Sequence, residues 1–266
     1  MAKPTRLIVR KATVLDGAVP WKNQNVNDTY RGTILGPHNE TARAYLKDLD
    51  ARQLANELLA AALGITAGLP IPQPYLAFVE RGLLPVSKFP MPDGTGHIVY
   101  ASADVHSQTV AQVINVEGPA SELLAKHLGK WEQLGAAYTF DTWIANVDRH
   151  MNNLLLSGSG GVTLIDHGHS FTGPAWAPTD LHPSAPYVNR LAQWLTPALS
   201  PEQRSRAAAR ITDLFRALDI NEVPSISAAN FVDDLLGRDA APLHAFLRER
   251  VGHTARLSAD ALGVLV

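Results

Sequence analysis

Apolar positions along the first hundred residues switch from strand spacing to helix spacing and back. Arg6–Leu15 alternates partly, as a half-buried strand does, and a polar loop over Asp16–Asp28 separates it from a second strand at Thr29–Leu35. Gly36-Pro-His-Asn-Glu40 is a turn, and Ala42–Lys47 is a third strand. Over Ala51–Leu63 the spacing changes to Leu54, Leu58, Leu59 and Ala62, which is helical, with Gly64 as its stop signal. Gly68–Pro74 then leads into strands at Tyr75–Glu80 and His97–Ser102.

The second half has a different texture. Leu154-Leu-Leu156 and Val162-Thr-Leu-Ile165 are short apolar runs around Ser157-Gly-Ser-Gly-Gly161, a strand, a tight turn and a returning strand. A Pro- and Trp-rich loop follows as far as Pro186. Helices are predicted at Val188–Leu195, Pro201–Ala217, Ser227–Leu236 and Ala241–Thr254, with Ser200-Pro201 and Ser225-Ile-Ser227 as starts. The pattern predicts an α+β chain: a β-rich lobe with one helix over 1–102 and a mostly helical lobe over 103–266, together one catalytic unit.

Composition narrows the classes. With 266 residues, 46% hydrophobic and 18% charged, the chain is globular and long enough for a large core. A net charge of −2 argues against general nucleic-acid binding, which needs a basic face. The absence of cysteine removes disulfides, thiol nucleophiles and cysteine-zinc sites together. The start has only three consecutive apolar residues, unlike a signal peptide, and no run approaches the ~20 that span a bilayer. A soluble, cytoplasmic protein is expected, with no membrane contact.

Candidate chemistry concentrates around the hairpin. Asp148 precedes Asn153 by five residues, and Asp166 ends the next apolar run. Centred on its turn, the hairpin would set Asn153 opposite Asp166, with Cβ atoms roughly 4.5–5.5 Å apart. Both could then ligate one cation, while Asp148 approaches from the preceding loop. Phosphoryl transfer needs such parts: a carboxylate to orient an acceptor hydroxyl, and an amide and a second carboxylate to hold magnesium on phosphates. Singly, each residue is equally a loop, cap or strand-end residue; the meaning lies in the set.

Asp148-Arg-His-x-x-Asn153 followed by Ile165-Asp166-His-Gly168 resembles the catalytic loop and metal-binding segment of HipA-like kinases and of the phosphoinositide kinase group. Here His150 follows the Asp, and His167 stands where protein kinases have Phe, departures that favour the HipA-like branch. The resemblance implies a two-lobed protein-kinase-like fold and ATP and Mg2+ as the nucleotide and metal. It also implies catalytic roles for Asp148, His150 and Asn153, and metal ligation by Asn153 and Asp166. Tyr45-Leu-Lys47, Gln53-Leu-Ala-Asn-Glu57 and Leu69-Pro-Ile-Pro72 resemble the same family, in which Lys47 contacts the nucleotide phosphates and Glu57 holds it. Glu57 is flanked by Leu58 and Leu59 rather than by a charged face, in keeping with that role. Lys88, with no helix after it, is the rival lysine. The phosphate-covering loop departs from the protein-kinase pattern, since its single glycine is Gly17, with Lys22 nearby as a possible aid; Gly32 and Gly36 suit strand and turn. Ala240–Arg250 resembles the closing helix of the family. A protein serine or threonine is the implied acceptor and an antitoxin-type protein a family-level partner.

Two other classes fit the same residues. Asp148, His150, Asp166, His167 and His169 are dense in metal-ligating groups, as in a metal-dependent phosphohydrolase. A nucleotide-binding scaffold without catalysis is the third.

Overall fold

The computed structural model describes residues 7–21, 28–117, 122, 124 and 127–264. Six strands form the first sheet: β1 (Arg10–Val14), β2 (Val19–Pro20), β3 (Thr29–Leu35), β4 (Thr41–Lys47), β5 (Pro74–Glu80) and β6 (Gly96–Ala103). Their order is β1-β5-β6-β4-β3-β2, and β1 also pairs with β3, Thr13 opposite Leu35 and Val14 opposite Ile34. The sheet therefore closes on itself as a small barrel. The alternation seen in the sequence fills its interior: Ala12, Val14, Ile34, Ala44, Leu46, Ala77, Val79, Val99 and Ala101 are buried together. Four alanines among them let the opposed walls approach.

The predicted strands are observed in order, with a short extra strand, β2, inside the expected loop Asp16–Asp28 and a shortened first strand. The strand expected over Arg6–Leu15 pairs only from Arg10, because the Ile8 and Val9 amides donate to the Asn230 side chain at 2.9 and 2.7 Å.

The outer face of β5 and β6 meets α1 (Ala51–Thr66), whose start is capped by Asp50, the carboxylate accepting from the Gln53 amide at 2.8 Å. Gln53 through Gly64 are all buried, so α1 is enclosed on every side. Its leucines join the large core formed with the second half of the chain. Gly64 does not end this helix. A Cβ there would stand 2.3 Å from Ile71 Cδ1 and 3.1 Å from Phe140 Cζ, so this glycine permits close packing.

Next come β7 (Gln108–Thr109), α2 (Val110–Glu117) and α3 (Leu134–Trp143). The hairpin β8 (Leu154–Leu156) and β9 (Val162–Leu164) forms as expected, with β7 beside β8. The later helices are α4 (Arg190–Leu195), α5 (Pro201–Ala208), α6 (Asp213–Ala217), α7 (Val223–Ala229), α8 (Val232–Leu236) and α9 (Ala240–Leu262).

Two predicted helices are broken in two. The span Pro201–Ala217 breaks after Ala208, where the Thr139 hydroxyl takes the Ile211 carbonyl at 2.9 Å and Gly135 lies against Ala207. The span Ser227–Leu236 breaks at Asn230, whose carboxamide is committed to Ile8 and Val9, and at Phe231, which has a φ of 68°. Ser200 starts α5 with a capping box, but Ser225 and Ser227 lie inside α7. No helix among the described residues is long and apolar enough to cross a membrane.

Candidate active site

Lys47 ends β4 on the face opposite the barrel interior, beside Tyr100 of β6 and above α1. Its ammonium stands 2.7 Å from Glu57 Oε1 and 2.9 Å from Asp166 Oδ1. Glu57 is fully buried, and its Oε2 accepts the His167 amide at 2.8 Å. Strand, helix and post-hairpin loop thus meet at one ammonium. Burial alone would lower the Lys47 pKa, but the charges of Asp166 and Glu57 outweigh it and hold the ammonium well above the lysine range. Burial likewise opposes ionisation of Glu57, and Lys47 with the His167 contact keeps its carboxyl well below the usual range. Two carboxylates around one ammonium leave a net negative charge, carried at the side of the cluster where Asp166 is 39% exposed. Lys88 is exposed, and its backbone amide, with that of Ser87, is held by the Asp48 carboxylate.

Asn153 and Asp166 are not directly opposed. Leu154 pairs with Leu164, which sets Asn153 across from Ile165, whose amide donates to the Asn153 carbonyl at 3.1 Å. Asp166 lies one residue further on, turned by a φ of 58°. Asn153 is buried, and its Nδ2 donates to the Asp148 carbonyl at 2.7 Å, so the amide orientation is fixed and Oδ1 is its remaining polar atom. An amide oxygen and a partly exposed carboxylate are hard donors that suit magnesium.

Asp148 sits on the other side of Asn153. Its amide donates to Asn146 Oδ1 at 3.1 Å. One carboxylate oxygen, Oδ1, meets Arg190 Nη1 at 2.9 Å; the other, Oδ2, faces His150 Nε2 at 3.6 Å and His169 Nδ1 at 3.7 Å. His150 also caps the 3-10 turn Met151–Asn153 by accepting the Asn152 amide. It adjoins the carboxylate without a hydrogen bond of normal length to it.

Two residues essential to this geometry had no role in the sequence reading. Arg149 is fully buried and binds the Asp141 carboxylate in a fork, Nη2 to Oδ1 at 3.0 Å and Nε to Oδ2 at 3.0 Å. Its third nitrogen donates to the carbonyls of Asn153 and Ile165, so one guanidinium ties α3, the Asp148–Asn153 loop and the hairpin end together. The available signals were an acid inside the apolar run of α3 and an Arg between Asp148 and His150. Asn56 is the second: its Nδ2 donates to the carbonyls of Gly168, Ser170 and Gly173, while Oδ1 accepts from Trp176. Adjacent residues of α1 therefore hold Lys47 and the loop after Asp166.

His167 does not join a metal cluster. It is buried against the edge of Phe140, and its Nδ1 lies 3.8 Å from Glu57 Oε2. Burial, with the nearby Arg149 charge, lowers its pKa, so it packs as a neutral ring. Among the described residues, no three His, Cys, Asp or Glu side chains are grouped to hold a metal.

Gly17 is not brought to the cluster. It lies in the turn between β1 and β2, flanked by the Leu15–Thr33 hydrogen bond and the Val19–Arg31 pair. Lys47 instead opposes Thr29, at the far end of β3, roughly 10 Å along the strand. The φ of 87° at Gly17 explains the glycine. Lys22 lies outside the described residues.

Comparison with known proteins places the chain in a family. The HipA-like kinase family matches residues 43–219, a span from β4 past α6 that includes every residue of the two clusters. Among solved structures, the Helicobacter pylori proinflammatory kinase CtkA superposes with a TM-score of 0.54 at 15% identity, over 95% of this chain and 98% of that one. That likeness is one of fold, in which a sheet-rich first part precedes a helical second part. No curated protein matches. With more than half of its length matched, this chain belongs to the HipA-like kinase family.

Proposed function

We propose that the chain transfers the γ-phosphoryl group of ATP to the hydroxyl of a serine or threonine in a protein. The observation that carries this reading is the simultaneous pairing of Lys47 with Glu57 and Asp166. An ammonium held by two carboxylates is too heavily engaged to be a solvated strand end. It sits where a positive charge beside phosphate oxygens and a metal-binding carboxylate are both needed.

In this reading Lys47 contacts the nucleotide phosphates, and Glu57 fixes it there from α1. Asn153 and Asp166 would hold magnesium, which when bound would neutralise charge on the phosphate oxygens. The net negative charge of the Lys47 cluster favours a cation at Asp166. Asp148 orients the acceptor hydroxyl and accepts its proton. As that oxygen bonds to the γ-phosphorus, the bond from phosphorus to the β–γ bridging oxygen breaks, and ADP leaves with the electron pair. Asn153 serves both sides, since its amide nitrogen anchors the Asp148 carbonyl.

A protein acceptor is favoured over a lipid headgroup because the chain carries a net charge of −2 and no basic cluster for an anionic surface. The phosphohydrolase alternative is less favoured, since one of its five candidate ligands, His167, is buried beside Glu57. Incubation with ATP and magnesium, followed by intact-mass and phosphosite analysis with candidate acceptor proteins, tests the proposal. Phosphate on serine or threonine of an acceptor or of the chain itself is expected. ATP turnover to free phosphate alone would contradict it.

A further inference from the structure

The Asp148 carboxylate is oriented from outside the catalytic loop. Within the loop, Asn146 fixes its backbone amide, and its own carbonyl accepts from Asn153. Neither contact sets the rotation of the carboxylate, and the terminal torsion of an aspartate is broad and nearly two-fold. Among the described residues around the two oxygens, Arg190 alone is at hydrogen-bond distance, with Nη1 2.9 Å from Oδ1; His150 and His169 stand at 3.6 and 3.7 Å from Oδ2.

Arg190 is itself well placed to do this. It opens α4, and the preceding Asn189 is fastened to α3, its Nδ2 donating to Thr142 Oγ1 at 3.0 Å and to the Tyr138 carbonyl at 3.4 Å. Leu191 is fully buried, and Trp194 donates to the Arg149 carbonyl at 2.8 Å. The helix is thus fastened on both sides of the arginine, to α3 before it and to the Asp148 loop after it. The guanidinium is half exposed, and an ion pair of that kind contributes little to folding. Its place beside the acceptor-binding carboxylate calls for another explanation.

We propose that Arg190 is a positioning residue for phosphoryl transfer: it occupies Asp148 Oδ1 and so presents Oδ2, between His150 and His169, to the acceptor hydroxyl. The inference rests on the kinase reading above. Arg190 touches neither nucleotide nor acceptor in this account and acts through Asp148. The acceptor proton goes to Oδ2 while Oδ1 stays bound to the guanidinium, so the hydroxyl enters from the side of the two imidazoles.

The test compares the wild type with Arg190→Ala, Arg190→Lys and Asp148→Ala. Transfer rate at saturating ATP, ATP affinity and Tm are measured, with and without free guanidinium at a concentration that leaves Tm unchanged. Arg190→Ala is expected to lower turnover by about 10- to 100-fold, the scale of a small misplacement of a reacting group. Its ATP affinity and Tm should stay near wild type. Guanidinium should recover part of the loss in Arg190→Ala and none in Asp148→Ala. Arg190→Lys, which keeps the charge, should fall between wild type and alanine.

Arg190→Ala turnover within about two-fold of wild type would overturn the proposal. So would a loss that neither guanidinium nor the lysine variant reduces, or one accompanied by an equal loss of ATP affinity. A wild-type protein that binds ATP but phosphorylates neither itself nor any acceptor would overturn the kinase reading, and this inference with it.

Discussion

The two sides of Asn153 are built differently. On the Lys47 side, Lys47 and Glu57 are largely buried and joined by short contacts to each other and to the more exposed Asp166: Nζ lies 2.7 Å from Glu57 and 2.9 Å from Asp166, and Glu57 is also bonded to the His167 amide. On the Asp148 side the carboxylate has one short contact, the half-exposed Arg190 at 2.9 Å, and its two imidazole neighbours stand at 3.6 and 3.7 Å. The first side is preorganised for a ligand that never changes, as a nucleotide phosphate would be. The second, in the proposed reading, is the side that meets the acceptor hydroxyl.

That contrast gives a graded series of tests. The largest effect is expected from Asp166→Asn, which removes the excess negative charge and replaces a carboxylate ligand by a poorer one for a hard cation. Transfer should fall below detection in a phosphate-incorporation assay, and wild-type turnover in this variant would remove Asp166 from the metal site. Asp148→Ala should lower turnover by about 10²–10⁴, measured at saturating ATP, without disturbing the Lys47 cluster.

Lys47→Met and Glu57→Gln should each impair transfer, and the double variant should be little worse than Lys47→Met, because the pair acts as one unit. Losses that simply add across the three variants would separate the two residues. Glu57→Gln should also destabilise the fold by about 3 kcal/mol, the scale of breaking a buried ion pair. Because the folded-state pKa of Glu57 is depressed, its contribution is present above the ordinary carboxylate range and is lost as pH falls through and below it. Chemical denaturation of wild type and Glu57→Gln should therefore show a gap at neutral pH that narrows on acidification.

The smallest effect is expected at Gly17. Gly17→Ala forces a side chain into a φ of 87° and should cost about 1–2 kcal/mol of stability. The KM for ATP should not change, because the residue lies away from Lys47. A several-fold rise in that KM would return Gly17 to the phosphate site.

What could be seen in the sequence was local. The strands, α1 with its buried acid, and the hairpin all follow from spacing within a dozen residues, whereas the choice of Lys47 over Lys88 rests on the family resemblance. The parts that escaped depend on contacts between distant segments. Closure of the barrel needs β1 beside β3, a register that no alternation announces. The offset between Asn153 and Asp166 comes from the Leu154–Leu164 register and the left-handed backbone at Asp166. Arg149 and Asp141 are buried as one pair, a pairing that their sequence positions alone do not announce. Asn230 ends a helix because residues more than two hundred positions earlier use its side chain. Gly64 resembled a stop signal, but its purpose is the approach of Phe140.

The most direct test of the division between the two sides is calorimetric titration of ATP into wild type, Asp148→Ala and Asp166→Asn, each with and without magnesium. The account predicts that magnesium strengthens ATP binding equally in wild type and Asp148→Ala, to within a few-fold, and leaves Asp166→Asn nearly unchanged. Loss of the magnesium effect in Asp148→Ala, or its retention in Asp166→Asn, would contradict the placement of nucleotide and metal at Lys47, Asn153 and Asp166.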